Sequence, residues 1–215
     1  MTDLPQGVSL WRGWLDPEAQ RALLREVTAL LEEAPPFRPT MPRSGRPFSV
    51  QMSNAGPLGW VSDRSGYRYQ AHHPETGRPW PAMPERVLEV WNRLAAYPAP
   101  PEACLINLYD AGARMGAHQD KDEAALDAPV LSISLGAAAQ FAIGGAARGG
   151  GTRKLLLQSG DVLALSGPAR LAFHGVDKVF AGTGPLPRLP AGAERINLTL
   201  RRVTRVDVTS PFEAR

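Results

Sequence analysis

From residue 101 onward the chain is a succession of short apolar or alternating runs, nearly every one closed by glycine or proline, with no helical pattern between them. The runs fall at residues 103–109, 130–136, 140–144, 154–158, 161–165, 171–174 and 195–203. Many short strands separated by turns, without helical crossovers, specify a jelly roll or double-stranded β-helix of the cupin-like kind. Ahead of this region two helices are predicted. Asp16-Pro17-Glu18 supplies an N-cap, a proline for the first helical position and an early acid, and Leu23, Val27, Leu30 and Leu31 form an apolar stripe behind it. Val87, Trp91 and Leu94 fall at i, i+4 and i+7 and mark the second helix over residues 84–97. Both helices are expected to cover one sheet, giving a mainly β (α+β) fold with flanking helices. Further strands are predicted at residues 8–14 and 48–54, a proline-rich loop at 35–47, and an aromatic, turn-rich segment at 60–80. The glycine-rich residues 144–151 read as a flexible hairpin tip, since the Gly-Lys-Ser/Thr ending of a phosphate loop is missing.

With 215 residues, 43% of them hydrophobic, the chain can bury a sizeable core and its length fits one domain, residues 1–215. Its single cysteine, Cys104, excludes an intrachain disulfide and a thiolate zinc cluster, and suits a reduced cytoplasm. No basic segment leads into an apolar one at the start, and no apolar stretch reaches about 18 residues, so a protein neither exported nor membrane-spanning is expected. A net charge of +3 and a pI of about 9.3 permit an anionic partner, and equally describe an ordinary solvated surface.

The chain has only four histidines. His72 and His73 are adjacent and would point opposite ways in an extended segment, so they read as surface histidines. His118 and His174 remain. In His118-Gln119-Asp120 the first and third residues project to one side of an extended segment, and His174 from a later strand would add a second imidazole. Two imidazoles and one carboxylate hold a non-haem Fe(II) on one face and leave the other for cosubstrate and O2. Singly, each histidine fits a hydrogen-bonded structural role as well, and H-x-D is a short motif. The strand at 195–201 adds weight, because alternation puts Arg195, Asn197, Thr199 and Arg201 on one face. Arginine binds carboxylates through charge-assisted, bidentate hydrogen bonds, so a dicarboxylate such as 2-oxoglutarate suits this face; from the strand alone, an exposed sheet face with solvated arginines suits it equally. Arg195 and Arg201 lie about 20 Å apart along an ideal strand, longer than 2-oxoglutarate, so one must reach back or the strand must bend. Asn107 and Tyr109, also two apart, offer an amide and a phenol from a neighbouring strand. Asp122 and Glu123 form either a solvated acidic loop or a carboxylate face toward substrate.

These residues lie within longer stretches that resemble the AlkB family of bacterial Fe(II)- and 2-oxoglutarate-dependent dioxygenases, which repair alkylated nucleic acid bases. The resemblance runs over residues 48–203 and is carried by Asn54-Ala55-Gly56-Pro57-Leu58-Gly59-Trp60, Trp80-Pro81-Ala82-Met83-Pro84, Cys104-Leu105-Ile106-Asn107-Leu108-Tyr109, His118-Gln119-Asp120-Lys121-Asp122-Glu123, Ser132-Ile133-Ser134-Leu135-Gly136, Ser159-Gly160-Asp161-Val162 and Arg195-Ile196-Asn197-Leu198-Thr199. It implies that His118, Asp120 and His174 hold iron, and that Asn107, Tyr109, Arg195, Asn197 and Arg201 hold 2-oxoglutarate. It implies further that Trp60, Tyr67, Tyr69, Asp122 and Arg148 surround the damaged base, within a substrate-recognition lid at about residues 36–82 over a β core at about 101–205. The implied reaction is O2-dependent demethylation of 1-methyladenine and 3-methylcytosine in single-stranded DNA, with double-stranded DNA and RNA as further candidates, by a cytoplasmic monomer that releases formaldehyde, succinate and CO2. Packing in a core or loop is the competing role for Trp60 and the tyrosines. Three residues depart from the family pattern: Leu165 where a tryptophan is common near the metal, Leu108 where an arginine is usual, and Arg46 at an aromatic position of the lid. Two other readings stand beside this one. A 2-oxoglutarate-dependent hydroxylase of a protein or small molecule is opposed by the aromatic and basic insert at 43–80, and a non-catalytic damaged-base binding module is opposed by the intact triad and arginines.

Overall fold

The structure, a computed structural model, describes residues 4–206; expectations for residues 1–3 and 207–215 lie outside the described residues. Helix α1 (Pro17–Glu33) starts where the sequence places it, with the Asp16 carboxylate accepting from the Ala19 N–H at 2.8 Å and Pro17 in the first turn. Its buried face carries Leu23, Leu24, Val27, Leu30 and Leu31. Helix α2 (Glu85–Leu94) is shorter than predicted at both ends and buries Val87, Val90 and Trp91.

Twelve strands build the rest of the described residues. A six-stranded antiparallel sheet has the order β1 (Val8–Trp11), β10 (Val162–Leu165), β7 (Val130–Gly136), β12 (Arg195–Arg201), β5 (Ala103–Tyr109) and β2 (Gln51–Ala55). A four-stranded sheet runs β6 (Met115–His118), β11 (His174–Val179), β8 (Ala139–Ile143) and β9 (Arg153–Leu157), and β3 (Gly59–Asp63) pairs with β4 (Gly66–Gln70) as a separate hairpin. Two cores follow from the period of two along each strand. Ile106, Leu108, Ile133, Leu135, Ile196, Leu198 and Leu200 pack with α1 and α2, while Leu105, Leu163, Leu165, Phe141, Leu155, Leu157 and Val176 fill the space between the two sheets. The fold is a jelly roll whose larger sheet is backed by the two helices.

Several elements differ from the sequence expectation. Strand β1 stops at Trp11 because the chain turns at Gly13, whose φ is +56° and whose N–H is held by Asp161. The strand expected at 171–174 starts at His174 instead, after a 3-10 turn, Gly167–Ala169. The segment at 60–80 contains the β3–β4 hairpin, and β6 had no apolar pattern to mark it. His73 is not a surface histidine: it is buried, its Nε2 lies 2.7 Å from Pro35 O, and its Nδ1 accepts the N–H groups of Glu75 and Thr76. His72 is exposed.

Candidate metal centre and substrate cleft

His118 ends β6, Asp120 lies two residues beyond that strand, and His174 opens β11, directly opposite His118 in the ladder. The ligand atoms of the three side chains lie within 4.8 Å of one another. Each imidazole has its Nδ1 against a backbone carbonyl, Gly116 O for His118 and Ala172 O for His174, both at 2.9 Å. That bond sets the tautomer with the proton on Nδ1 and leaves Nε2 as a lone-pair donor facing Asp120. The two Nε2 atoms stand 3.6 and 3.7 Å from the carboxylate oxygens, and Asp120 Oδ2 is buried with no hydrogen-bond partner. A buried orphan carboxylate oxygen beside two aimed imidazole nitrogens fits a divalent cation, and nitrogen and oxygen donors without thiolate suit Fe(II).

Charge at this point is tightly controlled. Burial opposes ionisation of Asp120, but Arg201 and the two imidazoles outweigh it and hold the carboxyl well below the usual carboxylate range. Burial pushes the His174 imidazole down, favouring the neutral form that can ligate a metal. Arg201 Nη2 donates to Asp120 Oδ1 at 2.8 Å, and its Nε stands 3.4 Å from Glu123 Oε1.

Behind the triad, between the sheets, is a small cavity. The register of β12 against β5 sets Arg195 opposite Tyr109 and Asn197 opposite Asn107, so four polar side chains converge on one face. Arg195 is buried, donates to Ala137 O at 3.0 Å and Ser134 Oγ at 2.7 Å, and has no ion-pair partner among the described residues. Burial brings its guanidinium down to about 10 and pushes the Tyr109 phenol up to about 12. Asn107 Oδ1 and Arg195 Nε are buried without hydrogen-bond partners among the described residues. The polar face of β12 is therefore interior, not a solvated sheet surface. Arg201 turns toward Asp120 while Arg195 occupies the Tyr109 end, and both line the same cavity. Leu165 lines this cavity too, whereas Leu108 lies on the opposite, helix-packed face.

A second, open cleft meets the triad from the solvent side at His118 and Asp120. Trp60 and Tyr67 stack across the β3–β4 hairpin, centroids 5.6 Å apart and rings 18° from parallel. The Asn54 side chain grips both backbone groups of Trp60, at 3.0 and 3.1 Å, and the indole Nε1 donates to Asp122 at 2.8 Å. Tyr69 is not among the cleft-lining residues, but its hydroxyl donates to Glu123, which is. Arg148 lies on the 144–151 tip with its guanidinium 4.5 Å above the Phe173 ring, and Arg46 is exposed beside Pro47 and Met41 of the cleft rim without lining the cleft itself. Sequence reasoning had not singled out Arg170, which is buried and donates to Ala128 O, Asp120 O and Glu123 Oε2. An arginine in a short turn carries no signal that its partners lie some fifty residues away.

The family model of the 2OG-Fe(II) oxygenase superfamily matches residues 7–201. An alpha-ketoglutarate-dependent dioxygenase AlkB homolog of Caulobacter vibrioides is 56% identical over 196 residues, covering 91% of this chain and 87% of the relative. The chain belongs to the AlkB family of 2OG-Fe(II) oxygenases. It is thus an Fe(II)- and 2-oxoglutarate-dependent dioxygenase, using O2. The alpha-ketoglutarate-dependent dioxygenase AlkB of Escherichia coli is 42% identical, with 78% of this chain and 79% of the relative covered. Among solved structures, OsALKBH1 superposes with a TM-score of 0.75 at 30% identity, over 94% of this chain and 99% of that one. Several partial matches are named for nucleic acid substrates. One is a DNA N(6)-methyladenine demethylase of Arabidopsis thaliana (34% identical, 54% of this chain, 26% of the relative), another a tRNA demethylase of Schizosaccharomyces pombe (33%, 47% and 36%). No helix among the described residues is long and apolar enough to cross a membrane.

Proposed function

We propose that this AlkB-family dioxygenase removes N-alkyl groups from nucleic acid bases, with 1-methyladenine and 3-methylcytosine in single-stranded DNA as its substrates. The observation that carries this reading is the stacked Trp60–Tyr67 pair, tied to Asp122, on a cleft that opens onto the triad. Both lesions are cationic, so an indole face and a carboxylate favour them over neutral undamaged bases. Arg114, Lys121 and Arg148 border the same cleft, where cationic side chains neutralise phosphates. Lesions that block pairing are cheaper to lift from the stack, and a single strand cheaper still. Residues 36–82 act as the recognition lid over a core at 101–205, and the protein works as a cytoplasmic monomer.

His118, Asp120 and His174 would hold iron, which together with 2-oxoglutarate and O2 supplies the oxidising power for hydroxylation of the N-alkyl carbon. Arg195 and Tyr109 are suited to bind the distal carboxylate of 2-oxoglutarate at the blind end of the cavity, and Asn107, Asn197 and Arg201 to hold the rest of it. Trp60 orients the base, Tyr67 extends the stacking surface, Asp122 faces the cationic ring, and Arg148 holds the flanking phosphate. Tyr69 acts indirectly, by fixing Glu123 on the cleft wall. The hydroxylated carbon leaves as formaldehyde and restores the base, while 2-oxoglutarate leaves as succinate and CO2.

Formaldehyde release from a single-stranded oligonucleotide carrying one 1-methyladenine tests the proposal. It is expected only when Fe(II), 2-oxoglutarate and O2 are all present, and His118→Ala should abolish it while sparing oligonucleotide binding. Succinate formation without formaldehyde would assign the enzyme a different substrate, and turnover by His118→Ala would refute the triad.

A further inference from the structure

His118 and His174 are paired in the β6–β11 ladder, but the chain leaves that ladder on both sides: Gln119 and Asp120 lie beyond the edge strand β6, and residues 170–173 run irregularly between the 3-10 turn and β11. Two side chains bind these segments reciprocally. Gln119, between the first two triad residues, donates through Nε2 to Leu171 O at 2.6 Å. Arg170, the neighbour of Leu171, donates back through Nη1 to Asp120 O at 2.5 Å. The remaining nitrogens of Arg170 fix the same loop at two further points, Glu123 Oε2 at 3.1 Å and Ala128 O at 2.7 Å, with the guanidinium almost fully buried. Gln119 also reaches Ala146 O at 3.1 Å, which ties the arrangement to the tip that carries Arg148.

We infer that Gln119 and Arg170 are positioning residues for the metal centre: a two-way clasp that sets where Asp120 stands relative to the paired histidines before any cation arrives. The inference rests on the metal-site reading of the triad. Its physical basis is that a flexible set of ligands must be ordered when the metal binds, and that cost is removed when neighbouring hydrogen bonds have already ordered them. Arginine is suited to the task because its planar fork satisfies three acceptors at fixed angles, which a lysine ammonium on a mobile stem cannot do. Neither residue offers an atom to the cation, so their effect is on how the ligands are presented. A purely structural role for the same hydrogen bonds would lower stability and leave metal affinity intact.

Calorimetric titration of the metal-free protein with Co(II), alongside melting curves with and without the metal, tests this. Gln119→Ala and Arg170→Lys are each expected to weaken Co(II) binding about 10- to 100-fold, and to shrink the rise in melting temperature that Co(II) produces in the unaltered protein. The half-buried Gln119 can lose its side chain without leaving a buried charge unpaired, so Gln119→Ala decides the matter if Arg170→Lys does not fold. Co(II) affinity within about twofold of the unaltered protein in a folded Gln119→Ala variant would overturn the clasp, since loss of such supporting bonds ordinarily costs far more. Failure of the unaltered protein to bind Co(II) would remove the metal site itself, and the clasp with it.

Discussion

Arg195 lies fully inside the protein, yet its terminal nitrogens donate to neutral acceptors, Ala137 O and Ser134 Oγ, and its Nε meets none. A buried cation in that condition costs stability, because the water it gave up is not replaced by an anion. Its value must appear when a carboxylate enters, and the proposed 2-oxoglutarate provides one. Arg195→Met is therefore expected to raise the KM for 2-oxoglutarate roughly 10- to 100-fold, the loss of a charge-assisted hydrogen bond of about 1.5–3 kcal/mol. The melting temperature of the metal-free variant should equal or exceed that of the unaltered protein, and a clear fall would contradict this account. Alternation along residues 195–201 was enough to expect the polar face, but not its enclosure, which depends on a second sheet folding over it. His73 was misread for a related reason: its partner Pro35 is remote in sequence, so nothing beside the histidine announces that its ring nitrogens are satisfied internally.

At the level of elements, the close approach of β6 to β11 brings the two histidines together, and a glycine makes it possible. A Cβ on Gly175 would stand 2.4 Å from Met115 O and 3.0 Å from Gly116, so the edge strand would have to move away from the residue next to His174. Gly175→Ala is expected to cost about 1–3 kcal/mol as a local overpacking strain and to weaken metal binding by displacing His118. Comparison of the variant's urea midpoint with its Co(II) affinity checks both, and an unchanged affinity would show that β6 yields without disturbing the site. Elements with an apolar pattern were legible: β5 and β7 match the sequence expectation, and α1 begins at its predicted cap. The hairpin β3–β4 and strand β6 were not, because aromatic residues facing a cleft and small residues on an exposed edge obey no core-facing period.

Across the whole molecule, the triad hangs largely from the four-stranded sheet and the arginines from the six-stranded one, so the site joins two layers that otherwise meet through apolar side chains. Its ionisation should mark the stability of the entire fold. An unfolded histidine takes up a proton near pH 6.5, whereas burial holds His174 neutral to lower pH. The unfolded chain then binds more protons, and stability falls as pH drops below that value. Asp120, kept ionised by Arg201 and the imidazoles, adds a second loss below about pH 4. The melting temperature of the metal-free protein is expected to decline from pH 7 to 5 and more steeply below 4, with the first decline reduced in His174→Ala; a flat profile above pH 5 would contradict the assignment. The layered architecture could be anticipated from turn spacing, but which sheet would carry which half of the site could not, since long-range pairing decides it. One strand stands in both worlds, with Arg195, Asn197, Thr199 and Arg201 toward the cavity and Ile196, Leu198 and Leu200 toward the helices. Inserting or deleting a single residue within it would turn over every side chain beyond the change, delivering leucines to the cosubstrate and guanidinium groups to the oil. The strand's length is therefore as much a part of the site as any of its side chains.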